Sequence, residues 1–308
     1  MKALYDVVIV GGGPAGYSAA LYCTRAGLST LVVELLGPGG QMATTEQVDN
    51  YPGFAEGVNG YDLAEKMKAG ADRFGAETLF AEVTALRLGQ TPKTVVTGEG
   101  EVQARTVVIA TGASPRKLGV PEEEAMAGRG VSYCATCDGM FYRGKVVAVA
   151  GGGDTAAADA LTLAKLCKKV YLIHRRDTLR ASKSYWEPLQ RADNVEFVWN
   201  AEIDRLLHGD TLTGLAVRDK LTGATTELAC DGLFVAIGRV PNTGLLGGQV
   251  ALDGHGYILA DETTRTSLPG VFAAGDVRTK ALRQIVTAAA DGAVASHFIE
   301  EYLQTAQN

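Results

Sequence analysis

The sequence predicts an α/β protein in which one strand–turn–helix–strand unit occurs twice, the second copy inserted into the first. Two glycine-rich strings carry that expectation, Gly11-Gly12-Gly13-Pro14-Ala15-Gly16 and Gly151-Gly152-Gly153-Asp154-Thr155-Ala156, each preceded by a short apolar run and followed by an Ala-rich stretch. A second pair of matching runs supports it: Val107-Val108-Ile109-Ala110-Thr111-Gly112 precedes Pro115, and Phe234-Val235-Ala236-Ile237-Gly238 precedes Pro241. Each reads as a buried strand ending at a glycine, where the chain can pass from one domain to another. At 308 residues there is room for about two domains of ordinary size.

In the first unit Asp6-Val7-Val8-Ile9-Val10 is a short strand, buried by its pattern, and the helix after the glycines runs from about Tyr17 to Ala26. A second strand, Leu31-Val32-Val33, ends on Glu34. This is the βαβ fingerprint of a dinucleotide site. Gly11 permits the tight turn, Gly13 lets the backbone approach a pyrophosphate, and Gly16 brings helix and strand close. The pyrophosphate rests on the helix N-terminus, and Glu34 accepts hydrogen bonds from a ribose diol. A glycine string alone is a weak sign; with strand, helix and acid in place it is specific.

The second unit repeats the scheme with Val146-Val147-Ala148-Val149 as strand, a helix from Ala157 to Leu166, and Val170-Tyr171-Leu172-Ile173 as the next strand. The position matching Glu34 is His174, followed by Arg175, Arg176 and, close behind, Arg180. A carboxylate there would repel a 2′-phosphate, whereas guanidinium groups bind phosphate through charge-assisted, often bidentate hydrogen bonds. The first site therefore reads as one for a plain adenosine ribose and the second as one for NADP(H); a solvated basic turn is the alternative. Asp154, beside the expected pyrophosphate, must point away or accept a neighbour's hydrogen bond.

These elements divide the chain into residues 1–112 and 244–308 for the first domain and 113–243 for the insert. Within the returning segment Val271-Phe272-Ala273-Ala274-Gly275-Asp276 is a strand ending on an acid, and an apolar-faced helix follows from about Leu282 to Tyr302. Asp276 can hydrogen-bond a flavin's ribityl chain or cap that helix. The predicted architecture is thus a pair of three-layer, Rossmann-like dinucleotide-binding domains. A net charge of −6 with no basic stripe argues against nucleic acid or an anionic membrane as partner. No apolar run approaches the ~18 residues of a membrane span. No signal peptide precedes the first glycine turn, and five cysteines are too few for a disulfide scaffold, so a cytoplasmic location is expected.

Cys134-Ala135-Thr136-Cys137, followed by Asp138-Gly139, lies just ahead of the second glycine turn. This spacing keeps the two Cα atoms within the ~4.4–6.8 Å that a disulfide demands, so the pair can open and close with little backbone movement. Each thiol alone would be only about 3% thiolate at pH 7 with a pKa near ~8.5. Asp138 is placed to shuttle the protons that exchange moves. The alternative, half of a structural zinc site, needs two more close ligands. Cys23, Cys167, Cys230, His174, His208, His255 and His297 are all solitary, so no metal is expected.

With these residues in view, the chain resembles the low-molecular-weight, bacterial-type NADPH-dependent thioredoxin reductases over nearly its whole length. The likeness rests on the two glycine strings, Gly39-Gly40-Gln41, Asn50-Tyr51-Pro52-Gly53, Cys134 to Gly139, His174-Arg175-Arg176 with Arg180, and Gly275-Asp276 with Arg283-Gln284. It implies FAD at the first site, contacted by Gly39, Gly40, Gln41, Asn50, Asp276, Arg283 and Gln284, and NADPH at the second. It implies that Cys137 faces the flavin, that Cys134 attacks the disulfide of thioredoxin or a thioredoxin-like protein, and that Asp138 is the acid. A homodimer is implied, as is rotation of the domains about the two Gly/Pro-containing chain crossings. Glutathione-reductase-like enzymes, in contrast, carry the redox pair beside the first glycine turn and add a dimerisation domain. A non-enzymatic reading stays open: a flavin- and NADPH-binding redox sensor whose cysteine pair switches a partner interface.

Overall fold

Val7, Val8 and Ile9 are all fully buried, although successive side chains of a strand point to opposite faces, so this strand needs cover on both sides. The computed structural model describes residues 2–45 and 47–305 and shows what supplies that cover. The chain opens with β1 (Tyr5–Val10), α1 (Pro14–Arg25), β2 (Thr30–Glu34), α2 (Gly60–Asp72), β3 (Glu77–Phe80), β4 (Val83–Arg87), β5 (Lys93–Thr97) and β6 (Gly100–Ile109). After a short β7 (Ala113–Pro115) it enters the insert, β8 (Val131–Ser132), α3 (Ala135–Asp138), β9 (Val146–Ala150), α4 (Asp154–Ala164), β10 (Lys169–Ile173), α5 (Lys183–Arg191) and β11 (Val195–Val198). The insert ends with β12 (Ala201–His208), β13 (Leu212–Asp219), β14 (Thr225–Ala229) and β15 (Gly232–Val235); β16 (Arg239–Pro241), β17 (Val271–Ala273) and α6 (Ile285–Thr305) complete the chain.

The chain forms two compact units, Met1–Ser114 with Val240–Asn308, and Pro115–Arg239. In the first, β3, β2, β1, β6 and β17 lie side by side and parallel, and β4 and β5 extend β6 as an antiparallel meander. Val7, Ile9, Val32 and Val108 face α1, α2 and α6; Val8, Val10, Val33 and Val107 face the layer that includes Leu86 and Val95 of the meander. The expected three-layer α/β architecture is thus built from both faces of one sheet. The second unit repeats it: β11, β10, β9, β15 and β8 are parallel, and β12, β13 and β14 form the antiparallel layer. Val147, Val149 and Leu172 pack on α4, while Ala148, Ile173 and Leu233 pack on Leu206, Leu215 and Val217.

Matching the two sheets strand by strand pairs β8 with β17, each the neighbour of the strand that follows the meander layer. Gly275 stands two residues beyond β17 and Cys134 two residues beyond β8, so the cysteine motif occupies in one unit the place that Gly275-Asp276 occupies in the other. Parallel strands release their carboxyl ends at one edge of a sheet, where ligands of such folds bind. That edge carries Gly11, Glu34 and Gly275 in the first unit and Gly151, His174 and Cys134 in the second.

Three boundaries differ from the sequence expectation for physical reasons. α1 starts at Pro14 and α4 at Asp154, inside the glycine strings: the first helical position has no use for an N–H and tolerates proline, and the positive end of a helix favours an acid in its first turn. α6 starts at Ile285 and not near Leu282, since the preceding residues are drawn toward the Asp276 turn, where Arg283 Nε donates to the Asp276 carbonyl at 3.3 Å. Asp276 itself lies in a 3₁₀ turn, nine residues short of α6, so it does not cap that helix. Among the described residues no helix is long and apolar enough to cross a membrane.

Candidate active site

The first glycine string sorts into closed and open positions. A Cβ on Gly11 (φ +109°) would lie 2.4 Å from the Ala110 carbonyl oxygen, and one on Gly16 only 1.9 Å from that of Gly11. These two glycines are required by the fold alone. A Cβ on Gly13 would meet nothing nearer than the Gly39 carbonyl oxygen at 3.9 Å. Gly13 is also the N-cap of α1 and offers it no side-chain cap, so the helix presents uncapped N–H groups to open space, with Pro14 at the first helical position. Such an end attracts an anion of pyrophosphate type.

Around that end the fold gathers the other predicted residues. Glu34 Oε2 accepts from Gly12 N at 2.6 Å and Oε1 from Leu36 N at 3.3 Å, which fixes the carboxylate with lone pairs to spare for a diol. Gly39 (φ +107°) donates its N–H to Gly12 O at 2.7 Å, Gly40 follows at φ +55°, and Gln41 Nε2 donates to Ala113 O. Asn50 Nδ2 donates to Gln284 Oε1 at 3.0 Å, joining residues from distant segments. Gly275 (φ +80°) sits so close to α1 that a Cβ there would lie 2.9 Å from the Ala15 methyl. Arg283 stacks its guanidinium 4.1 Å from the Tyr257 ring centroid.

Sequence reasoning missed the group that holds this corner together. Asp291, buried in the second turn of α6, accepts from Gly275 N at 2.8 Å, from Arg278 through both carboxylate oxygens at 2.7 and 2.8 Å, and from Lys280 Nζ at 2.8 Å. Burial pushes the Asp291 carboxyl up, but the Arg278 and Lys280 hydrogen bonds outweigh it and hold it below the ordinary aspartate range. A lone carboxylate within the Ala-rich run Ala288-Ala289-Ala290-Asp291-Gly292-Ala293 was the available signal.

The second string repeats the pattern with one exchange. A Cβ on Gly151 (φ +153°) would lie 2.4 Å from Ala236 O and 2.7 Å from the Ala156 methyl, so here alanine is accommodated at the position matching Gly16. Gly153, the N-cap of α4, gives it no side-chain cap, and a Cβ there would meet nothing within 4 Å. His174 fills the space over Gly152, as Glu34 does over Gly12: a Cβ on Gly152 would lie 2.2 Å from the imidazole. Burial, then the charges of Arg180, Arg175 and Arg176, push the His174 pKa down, so the ring is neutral at pH 7. Its Nε2 is buried with no hydrogen-bond partner among the described residues.

Arg175, Arg176 and Arg180 are exposed, and among the described residues none has a salt-bridge partner. Their loop is folded back onto the glycine turn, because Arg180 N and Ala181 N donate to Gly152 O at 2.6 and 3.1 Å. The Asp154 carboxylate accepts from Ser182 N at 2.6 Å and from its hydroxyl at 3.1 Å, the neighbour's hydrogen bond that its position demands. Thr155 is exposed beside it. The residues present fit a dinucleotide at each string, the second with a free cationic rim suited to a 2′-phosphate.

Cys134 and Cys137 form a disulfide with a Cα separation of 5.3 Å. Extended backbone leaving β8 reaches Cys134 (φ −149°), α3 begins at the next residue, and Cys137 N donates to Cys134 Sγ at 3.2 Å. Both cysteines are half-buried, and so is Asp138. Burial raises the Asp138 pKa, opposed by the Ser132 hydroxyl, which donates to Oδ2 at 2.6 Å. Ser132 is a second residue the sequence did not single out. Tyr133 points the other way and donates to buried Glu123 at 2.9 Å, which also accepts from Leu118 N and Gly119 N. Met140 and Phe141, just beyond the motif, are 52% and 46% exposed. The remaining thiols are inert by burial, Cys23 and Cys230 pushed up to about 12 and Cys167 to about 11.

Two dinucleotide folds and one disulfide at a sheet edge define a class, the pyridine nucleotide-disulphide oxidoreductases, whose family model matches residues 5–292; the chain belongs to that family. It is 46% identical over 308 residues to a thioredoxin reductase of Treponema pallidum (strain Nichols), covering 100% of both chains. It is 47% identical to a thioredoxin reductase of Streptomyces clavuligerus, covering 98% of this chain and 95% of that one. Among solved structures, thioredoxin reductase from Streptococcus pyogenes MGAS5005 superposes with a TM-score of 0.92 at 42% identity, covering 99% of this chain and 100% of that one.

Proposed function

We propose that the chain is a thioredoxin-disulfide reductase, carrying electrons from NADPH through FAD and the Cys134–Cys137 disulfide to the disulfide of a thioredoxin-like protein. One observation carries the reading: the disulfide, with Asp138 beside it, opens at the same sheet edge as the cationic NADP-type turn. Gly11, Gly13, Pro14, Ala15, Gly16, Glu34, Gly39, Gly40, Gln41, Asn50, Gly275, Asp276, Arg283 and Gln284 would hold FAD. Gly151, Gly153, Asp154, Thr155, Ala156, His174, Arg175, Arg176 and Arg180 would hold NADPH, with residues 113–243 as its domain. When bound, FAD supplies the two-electron relay between nicotinamide and disulfide.

The chain's own residues do the rest. In the open dithiol state the Cys134 thiolate attacks one sulfur of the partner's disulfide, forming a mixed disulfide and expelling the other sulfur as a thiolate. That thiolate takes a proton from Asp138, whose pKa burial raises. The Asp138 carboxylate then takes the proton of Cys137. The Cys137 thiolate attacks Cys134 Sγ, the Cys134–Cys137 bond re-forms, and the partner leaves with its second sulfur as thiolate. Exposed Met140 and Phe141 give that partner an apolar foothold beside the reacting sulfurs. The same reading makes the protein a cytoplasmic homodimer, which sedimentation of the holoprotein tests.

The deciding experiment is NADPH oxidation in the presence of the organism's thioredoxins. Sustained turnover is expected. A single stoichiometric reduction event would overturn the enzyme in favour of a redox sensor.

A further inference from the structure

Ser132 ends β8, is 5% exposed, and its hydroxyl is the junction of the redox motif. Cys134 N donates to Ser132 Oγ at 3.1 Å, and Ser132 Oγ donates to Asp138 Oδ2 at 2.6 Å. The hydroxyl's other acceptor, the Cys134 carbonyl, is 3.5 Å away. A hydroxyl has one proton to give, and the short contact to the carboxyl oxygen takes it.

We propose that Ser132 is a positioning residue for Asp138, reserving Oδ2 as an acceptor so that the acidic proton is carried on Oδ1. This rests on the reading of Asp138 as the proton donor of disulfide exchange. A proton on Oδ2 would have to be donated back to Ser132 Oγ, displacing that hydroxyl's own proton toward the distant Cys134 carbonyl. A proton on Oδ1 leaves every bond of the chain Cys134 N–H, Ser132 O–H, Asp138 intact. The acid is thereby tied to the backbone of the attacking cysteine and moves with it. When Cys134 Sγ bonds to the partner and the partner's other sulfur departs as thiolate, Oδ1 gives up its proton and the ionised carboxylate keeps the Ser132 bond.

Ser132 also favours the ionised acid, against the burial that favours the neutral one. The other titratable groups of this corner are the two cysteines and Tyr142, whose phenol feels the Asp138 charge. α4, packed against α3, carries Asp154, bound to Ser182, and Asp159, which burial pushes up to about 6 against the opposing charge of Arg239, so the pH–rate limb that belongs to Asp138 is the one lost in D138N.

The test uses the FAD-loaded enzyme with thioredoxin as substrate, comparing Ser132→Ala, Ser132→Thr, Asp138→Asn and the double variant Ser132→Ala with Asp138→Asn. S132A should lower kcat for disulfide reduction roughly tenfold, in line with loss of one hydrogen bond to a charged group. It should move the Asp138 limb of the pH–rate profile upward, while the rate of flavin bleaching by NADPH stays unchanged. S132T should restore both kcat and profile, and adding S132A to D138N should cost nothing further. Parent-like kcat and pH profile in S132A, beside a crippled D138N, would overturn the Ser132 proposal alone. A fully active D138N would overturn the reading of Asp138 beneath it. Should S132A lose its flavin, S132T against Ser132→Val repeats the comparison at equal volume, and equal activity of those two would overturn the proposal.

Discussion

Gly12 gives its amide proton to Glu34 Oε2 at 2.6 Å, and its missing side chain leaves the space that the same carboxylate occupies. Around this pair the neighbouring glycines do different work, and substitution separates them. Gly16→Ala forces a methyl to within 1.9 Å of the Gly11 carbonyl oxygen, so it should abolish folding of the first unit. Gly13→Ala meets nothing nearer than 3.9 Å and should fold with nearly parent thermal stability, yet lose most of its FAD, because the methyl enters the space left for the pyrophosphate. The parent protein should be yellow with about one FAD per chain. Flavin absorbance per chain, read beside thermal unfolding, checks all three; a yellow Gly13→Ala protein would move the pyrophosphate elsewhere.

Neutralising Arg175 and Arg176 should weaken NADPH far more than NADH. Both guanidinium groups are exposed and free of salt bridges among the described residues, so their removal costs the fold little. Each lost charge-assisted contact to a phosphate is worth ~1.5–3 kcal/mol, or roughly 10–100-fold in affinity. KM values for the two nucleotides measure it. An unchanged preference would transfer the 2′-phosphate to Arg180.

What the sequence revealed, and what it hid, follows from how each element is buried. β1, β2, β9 and β10 lie inside parallel sheets covered on both faces, so they are continuous apolar runs, and the glycine turns after them punctuate the pattern. β8 is only Val131 and Ser132, too short for any periodicity, although it sets the disulfide at the sheet edge. The antiparallel layers, β4–β5 and β12–β14, lack a steady alternation of buried and exposed residues and carry bulges between Ile203 and Arg205 and near Val83, so no period of two marked them and they were not singled out. Of the site, the residues of the motifs were legible because their spacing encodes a turn. Ser132 and Asp291 were not, since each is an ordinary residue whose importance comes from partners that only folding brings to it.

Replacing Cys134 or Cys137 with Ser should abolish disulfide reduction while NADPH still bleaches the flavin, because hydride arrives before the cysteines act. The three remaining thiols are buried and pushed up to about 11 or 12, so none can substitute. Stopped-flow absorbance separates the two half-reactions. A Ser variant that reduces thioredoxin at the parent rate would remove the cysteines from the mechanism.

Asp291 makes the first unit acid-sensitive. Its pKa in the folded protein lies below the unfolded value, because Arg278 and Lys280 favour the ionised form more than burial opposes it. The stabilisation is therefore present above the unfolded pKa, near ~3.9, and is lost as pH falls through the lower folded value. Asp291→Ala should mimic that loss at neutral pH and exceed it, since Arg278 and Lys280 would remain buried without their counter-ion. Breaking such a pair from one side costs about 3–5 kcal/mol. Asp291→Asn keeps an acceptor for the Gly275 amide and should fall between the two. Because Gly275 rests on Ala15 at the head of α1, loosening this corner should also release FAD. Flavin release and unfolding, followed together as the pH is lowered, should coincide in the parent and occur at higher pH in Asp291→Asn. Equal acid midpoints in the two proteins would show that Asp291 does not set them.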